Sequence, residues 1–553
     1  MERETTSALP RSRTPTDRKE PAVNAYRRLD ECPSFAELLA ASPDSAARAE
    51  AFRAALDGDR VRSRELAAGG GLSWNWAAMD VLDHELPLLS RLAAEQECVA
   101  KYRELASGAV MNTGEKRMVL HHLARGVVAE RPVHAGKDLR SFYEGERERF
   151  SEFADRVRSG ALRGATGKRF ATVVQIGIGG SDLGPRALHI ALSAWAKAAG
   201  RLGLEARFVS NVDPDDANAT LDGLDLESTL FVLVSKSGTT QETLANESLA
   251  KAKLEKAGLP SGKHLVAVTS ETSPLARNPG YLDSFYIDDF IGGRYSASSA
   301  VGGVVLSLAF GPETFAEFLE GAHEADRLAL EPDPMKNPAL LDALLGVLQR
   351  NVLGRPTVAV LPYSQALSRF AAHLQQLDME SNGKRVDRSG APVAYATGPV
   401  VFGEPGTNGQ HSFYQLLHQG TDTVPLEFVG FLEGQTSGDV VVEGSTSRRK
   451  LAANLAAQIV AFALGKDDSD ANRRFPGGRP SSLIHGRALD PRALGALLAH
   501  FENKVMFQGF LWNLNSFDQE GVQLGKVLTR QVLGDGPLGS ALEAYAGMLG
   551  ARP

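Results

Sequence analysis

The segment Ser235-Lys236-Ser237-Gly238-Thr239-Thr240-Gln241-Glu242-Thr243 places four hydroxyls and one ammonium within six residues, after an apolar run and at the start of a helical pattern. Hydroxyls and backbone amides together can hydrogen-bond a phosphate, and Gly238 lets the backbone come close. The same residues also fit a plain helix N-cap, for which one hydroxyl would suffice. Upstream, Gly177-Ile178-Gly179-Gly180-Ser181-Asp182-Leu183-Gly184-Pro185 again joins an apolar run to a helical pattern. A dinucleotide fingerprint would need its third glycine at position 182, where Asp182 stands. A simple phosphate at a helix start and a tight turn without a ligand both remain open. No Gly-Lys-Ser/Thr stands in a P-loop frame, so NTP hydrolysis has no support.

A phosphate cradle names no reaction, so residues that move protons matter next. Gln375-Gln376-Leu377-Asp378-Met379-Glu380-Ser381-Asn382-Gly383-Lys384 ends a helical pattern, and Glu380 there is either a candidate base or a solvated helix-end carboxylate. Gly406-Thr407-Asn408-Gly409-Gln410-His411 brings a histidine to a Gly-rich helix entry, which suits proton transfer, although a lone histidine is more often structural. Ser516-Phe517-Asp518-Gln519-Glu520-Gly521-Val522-Gln523-Leu524-Gly525-Lys526 gathers polar groups in a Gly-interrupted stretch. In Gly292-Gly293-Arg294-Tyr295-Ser296, Arg294 is either a fixed donor to a developing oxyanion or a surface salt bridge.

These residues need a scaffold, and the chain is long enough to supply one. Its 553 residues correspond to roughly three or four domains. Apolar residues at 43% and charged residues at 23% are ordinary globular proportions. A net charge of −7 offers no basic footprint for nucleic acid. Two cysteines, Cys32 and Cys98, make neither a disulfide framework nor a four-Cys zinc site and fit a reducing cytosol. Residues 1–21 have no apolar core of a secretory signal, and no apolar run approaches the ~18 residues of a membrane span, so a cytoplasmic protein without membrane contact is expected.

Residues 26–125 read as helical, with no competing alternation. From about 169 the rhythm becomes short Val/Ile/Phe runs between helical stretches, at 171–176, 206–210, 229–234 and 264–269. It restarts beyond a helical spacer at 338–352, with candidate strands at 357–361, 426–431 and 481–484. Such alternation predicts an α/β protein with two doubly wound parallel sheets.

In their order and spacing these motifs resemble the phosphoglucose isomerase family of sugar-isomerase (SIS) proteins. The match extends from about Met111 to Lys526 and includes Asn112-Thr113-Gly114-Glu115, Phe208-Val209-Ser210-Asn211-Val212-Asp213, the Gly-Gly-Arg-Tyr-Ser signature and most of the C-terminal signature. The resemblance implies two flavodoxin-like SIS domains at 126–310 and 346–530. A tail at 1–22, a helical segment at 23–125 packing on the second SIS domain, a helical connector at 311–345 and a C-terminal helical segment at 531–553 complete the expected division. It implies aldose–ketose isomerisation of a sugar phosphate, without metal or other cofactor, in a homodimer with shared active sites.

Carried over, Glu380 moves the proton between C1 and C2, His411 opens and closes the ring with help from Lys526, and Arg294 stabilises the enediolate. The phosphate falls to Ser235, Ser237 and Thr240, with Lys236 beside them, and the rest of the sugar to Gly180, Ser181, Gln376 and Gln519. His411 is expected to serve the other subunit's site. Three positions depart from the family pattern: Ser237-Gly238 stands where many members have Thr-Phe, and Gln523 where a Glu is usual. A related sugar-phosphate isomerase and a non-catalytic sugar-phosphate sensor are the competing readings.

Overall fold

Strands form where β-branched and aromatic residues run together between Gly-rich turns, and the computed structural model, which describes residues 26–552, follows that rule with instructive exceptions. The expected tail at 1–22 lies outside the described residues. The N-terminal region is not wholly helical. Besides helices such as Pro33–Ala41, Leu86–Glu95 and Cys98–Ala106 it holds a hairpin of β1 (Glu65–Gly69) and β2 (Leu72–Asn75). This corrects the all-helical expectation. Ala-rich β1 has little intrinsic β preference, and the hairpin gains its partner from 400 residues downstream, where Trp74 pairs with Ile484 and Leu72 with Gly486.

The first sheet comprises β3 (Thr172–Ile176), β4 (Glu205–Val209), β5 (Thr229–Val234), β6 (Leu265–Thr269) and β7 (Asp283–Tyr286). All pairs are parallel, in the order β4-β3-β5-β6-β7. Within this unit that is 2-1-3-4-5, the flavodoxin-like order, whose direction of winding reverses between β3 and β5. Every residue of β5 is buried, which explains its unbroken Thr-Leu-Phe-Val-Leu-Val run. The four-residue β7 escaped the sequence reading because it carries only two buried positions.

The second sheet adds β8 (Thr357–Pro362), β9 (Val400–Phe402), β10 (Leu426–Phe431) and β11 (Ser481–Gly486), in the order β1-β2-β11-β10-β8-β9. Its four downstream strands are parallel and the N-terminal hairpin extends it antiparallel. Three-residue β9 was too short to read. The fold is the expected α/β class, two doubly wound sheets with a helical C-terminal segment and an N-terminal segment that adds a hairpin to its helices.

A layer of apolar helices carries both sheets. Ala300–Phe310 is buried at every residue and packs on Leu139–Ser159 and Leu183–Ala198 of the first unit. Pro491–Leu511 packs on Pro312–Leu328 and Pro338–Val347. Helices this apolar on all sides exist only inside a core. The charges they bury are paired: Lys504 with Asp342 at 3.0 Å and with Glu427, and Arg125 with Asp326 at 3.1 Å and with Glu502. A buried charge without such a partner would be strongly destabilising. By contrast, Gln523–Leu533 has no buried residue, and Leu524, Val527, Leu528 and Leu533 stand exposed along it.

Candidate functional site

Ligands of a doubly wound sheet bind beyond the carboxyl ends of the strands where the winding reverses. Here that point lies between β3 and β5, and both Gly- or hydroxyl-rich loops leave from it. After β3 the chain passes through the short turn Gly179–Ser181 into helix Leu183–Ala198. Gly180 is required by contact: a Cβ there would stand 2.1 Å from the carbonyl carbon of Gly293. The loop therefore rests directly on the Gly293–Ser298 turn that carries Arg294.

After β5, Ser235 is buried, and its Oγ accepts the Gly238 N–H at 3.1 Å and lies 3.2 Å from Thr240 Oγ1. Its carbonyl accepts from Thr269 Oγ1 at 2.8 Å, which ties the loop to β6. Gly238 adopts φ +67°, and a Cβ would meet Ser273 Oγ at 2.2 Å, so the loop is shaped for glycine at this position. Ser237 points outward and accepts from the Thr239 N–H at 3.2 Å. The Lys236 ammonium donates to the Ile291 carbonyl at 3.2 Å; burial lowers its pKa, with Asp289 acting in the opposite direction.

Arg294 joins the two units. It is 2% exposed, which removes the surface salt bridge as an account of it. Its Nε donates to Ser381 Oγ at 2.7 Å, its Nη1 to Glu380 Oε2 at 3.2 Å, and its Nη2 to the carbonyls of Ser516 at 2.6 Å and Asp518 at 2.9 Å. Only the planar five-donor fork of arginine can meet so many acceptors at once. Tyr295 Oη lies 3.0 Å from the same Ser381 hydroxyl. Glu380 ends a π-helical run, Gln375–Glu380, and keeps 20% of its side chain exposed. An ion pair between Lys384 and Asp518 locks this segment to the C-terminal one, and Asn515 Nδ2 donates to Asp518 at 2.7 Å.

Together these segments wall a polar cleft of about 290 Å³ lined by Lys236, Ser237, Arg294 and Gln519, together with Glu115, Arg117, Ser270, Thr272, Ser273, Asp289, Gly292, Gly293 and Phe517. Ser235 and Thr240 lie outside this lining and support the hydroxyl loop from within, and Glu380, also outside it, contacts Arg294. Gln376 approaches from the second unit, its Nε2 only 3.3 Å from where a Cβ on Gly179 would stand, and its Oε1 is buried without a hydrogen-bond partner. Ser181 lies half-buried in the turn beside them. His411 and Lys526 are not in this lining; both are exposed, His411 ending the turn Asn408–His411 and Lys526 on helix Gln523–Leu533. The Lys384–Asp518 lock and the Ser381 hydroxyl went unnoticed in the sequence because their roles depend on contacts across more than 80 residues. Among the described residues no group of three or more His, Cys, Asp or Glu side chains is disposed to hold a metal ion, and no helix is long and apolar enough to cross a membrane.

A cleft lined by Lys236, Ser237 and Arg294 can hold an anion, and a carboxylate, Glu380, contacts the fixed guanidinium that lines it. Comparison with known proteins points the same way. Residues 75–544 match the family model for phosphoglucose isomerase. The chain is 57% identical over 527 residues to a glucose-6-phosphate isomerase of Treponema denticola, covering 95% of this chain and 99% of that one. It is 58% identical over 530 residues to that of Treponema pallidum, covering 94% and 98%. Among solved structures, a glucose-6-phosphate isomerase from Chlamydia trachomatis superimposes with a TM-score of 0.87 at 43% identity, covering 95% of this chain and all of that one.

Proposed function

The chain belongs to the phosphoglucose isomerase family and interconverts glucose 6-phosphate and fructose 6-phosphate, an aldose–ketose isomerisation serving glycolysis and gluconeogenesis, and we propose that it does so in the cleft between its two sheets with Glu380 as base and acid. The observation that carries this assignment is the 3.2 Å contact of Glu380 Oε2 with Nη1 of Arg294, a residue that lines the same cleft as Lys236 and Ser237 of the hydroxyl loop.

In this reading the phosphate sits against Ser235, Ser237 and Thr240, with Lys236 beside it, at the end of the first sheet where the winding reverses. Gly180, Ser181, Gln376 and Gln519 hold the sugar hydroxyls. His411, assisted by Lys526, moves the proton that breaks and re-forms the C1–O5 bond of the ring. Glu380 removes the C2 proton, the C2–H electron pair becomes the C1–C2 double bond, and the C1 carbonyl oxygen gains charge. Arg294 faces that charge without reorganising, which is where a fixed donor contributes most. Glu380 then returns the proton to C1, and the hydroxyl proton passes between O2 and O1, so atoms and charge balance.

The chain is read as the homodimer its motifs suggest, with His411 reaching the partner's cleft and residues 126–310 and 346–530 as the two SIS domains. The exposed His411 and the uncovered apolar side chains of Gln523–Leu533 support that arrangement. The cytoplasm is its proposed location, in keeping with the free, buried Cys32 and Cys98. In mixed dimers of His411→Ala and Glu380→Gln chains, activity absent from both parents should return. Persistently dead mixtures, with heterodimers demonstrated, would return His411 to its own subunit.

Reaction in heavy water tests the chemistry. A carboxyl that holds the abstracted proton exchanges it with solvent, so deuterium should enter C1 or C2 of the product. Glu380→Gln should lower kcat by about 10² to 10⁴ with KM little changed. No deuterium in the product, together with a near-normal kcat for Glu380→Gln, would remove both Glu380 and the enediolate.

A further inference from the structure

Behind Glu380 the chain buries a carboxyl that the proton transfer itself does not use. Asp378 lies two residues earlier on the same π-helical run, is 7% exposed, and faces a small internal cavity shared with Asp342, Glu427 and Lys504. Desolvation raises its pKa to about 7, with Lys504 opposing and Glu427 adding to the shift. Its Oδ1 accepts from Asn382 Nδ2 at 3.3 Å, and the same amide nitrogen donates to the Val505 carbonyl at 3.0 Å. With both hydrogens committed, the Asn382 amide has one orientation, and its Oδ1 accepts the Ser516 hydroxyl at 2.7 Å.

Ser516 closes the circuit. Its carbonyl takes the 2.6 Å hydrogen bond from Arg294 Nη2, and Arg294 Nη1 meets Glu380. The ring of contacts thus leaves the π-helical turn at Asp378 and re-enters it at Glu380, with Asn382 and Ser516 both fully buried. A second observation marks it as a built arrangement. Gly509 stands opposite, where a Cβ would lie 2.0 Å from Ser516 Oγ and 3.2 Å from Asn382 Oδ1, so any side chain there would expel the hydroxyl. π-Helical turns recur at functional sites, where the widened turn re-aims side chains.

We propose that Asp378, Asn382 and Ser516 are positioning residues, a relay that keeps the Arg294 guanidinium fixed while Glu380 gains and loses its proton. When Glu380 is protonated its ion pair with Arg294 weakens, at the moment when the substrate oxyanion needs the cation in place. A guanidinium held by a carbonyl anchored in the core stays where it is, and preorganised donors owe their effect to that immobility. The proposal rests on Glu380 being the base.

Ser516→Ala, Asp378→Ala, Asp378→Asn and the double variant Asp378→Ala/Ser516→Ala test it in the full-length enzyme. Ser516→Ala and Asp378→Ala should each lower kcat about 10- to 30-fold with KM within about twofold, since substrate binding does not use the relay. Asp378→Asn keeps an oxygen acceptor for Asn382 and should restore kcat to within about threefold. The double variant should be no slower than its poorer parent, because both changes open one circuit. A native kcat in folded Ser516→Ala, or losses that multiply in the double variant, overturns the relay. Should Asp378→Ala fail to fold, Ser516→Ala, which keeps the carbonyl and removes only the hydroxyl, decides alone. Glu380→Gln is measured beside them: if it is inactive while Ser516→Ala is native, the relay alone fails, whereas a near-native Glu380→Gln takes down the base and the relay together.

Discussion

The two sheets are wound alike but offer opposite ends to the cleft. In the first unit both ligand loops, Gly177 to Ser181 and Ser235 to Thr240, leave the carboxyl ends of β3 and β5, where the winding reverses. In the second unit the chain leaves β8, runs back along the sheet as the helix beginning at Phe370, and brings the π-helical turn to the other end. There Asp378 shares a cavity with Val358 and Leu426, which stand at or next to the amino ends of β8 and β10. In the proposed mechanism, the switch-point rule therefore locates the half that binds the anion and misses the half that transfers the proton. A fold supplies helix starts for free, and these suit a phosphate. A base must be placed against one carbon atom, and its position follows from contacts between the units rather than from the winding of either.

If the first unit binds and the second reacts, mutations in the two should separate KM from kcat. After Glu380→Gln itself, the largest effect is expected at Arg294, which belongs to the first unit in sequence and to the second by contact. Arg294→Lys keeps a charge but not the fork, and steady-state kcat should fall about 10²- to 10³-fold while inorganic phosphate still competes with substrate. A native kcat in this variant would mean that charge alone suffices and that the two units are less tightly joined than their geometry indicates.

A smaller effect of the opposite kind is expected in the hydroxyl loop. Ser235→Ala with Thr240→Ala should raise KM about 10- to 100-fold with kcat within about threefold, a combined loss of roughly 1.5 to 3 kcal/mol of hydrogen bonding to the phosphate. A fall in kcat at constant KM would reverse the division of labour between the units.

The smallest effect concerns the seam between the units, where the helix Phe370–Leu374 packs on Leu183–Ala198. His373 on that helix is buried, both ring nitrogens lack partners, and desolvation lowers its pKa from 6.5 to about 4. Because the unfolded chain binds the proton more readily, this group's stabilising contribution is present above pH 6.5 and is lost as pH falls toward 4. Buried His122, also lowered to about 4 chiefly by desolvation, acts in the same direction. Melting temperatures followed from pH 7 to 4 should fall, and His373→Phe should reduce that acid loss by about 1 to 2 kcal/mol. An identical pH dependence in the variant would show that His373 escapes titration by another route.

The fold class was legible because the central strands are buried on both faces, so their Val/Leu/Ile/Phe runs stand out against the Gly-rich turns that follow. Strands read at 229–234 and 426–431 coincide with β5 and β10 at both ends. The β1–β2 hairpin was not legible, since its pairing with β11 comes from a segment with no local trace in residues 65–75. Short β7 and β9 were missed because one or two buried positions carry no readable period.

By itself the sequence determined the chemical inventory: a hydroxyl- and Gly-rich loop at a helix start, a carboxylate at a helix end, an arginine between glycines and a tyrosine, and the order in which they occur. Local spacing encodes these because caps, turns and strand runs are decided within a few residues. Only the tertiary structure decided that Arg294 reaches Glu380 across a sequence separation of 86 residues, that Gly180 admits Gly293, and that Ser516 and Asn382 close a circuit behind them. Such contacts exist only once the apolar helices Ala300–Phe310 and Pro491–Leu511 have been buried. The distances that matter for catalysis are consequences of that shared core, and no window of the sequence contains them.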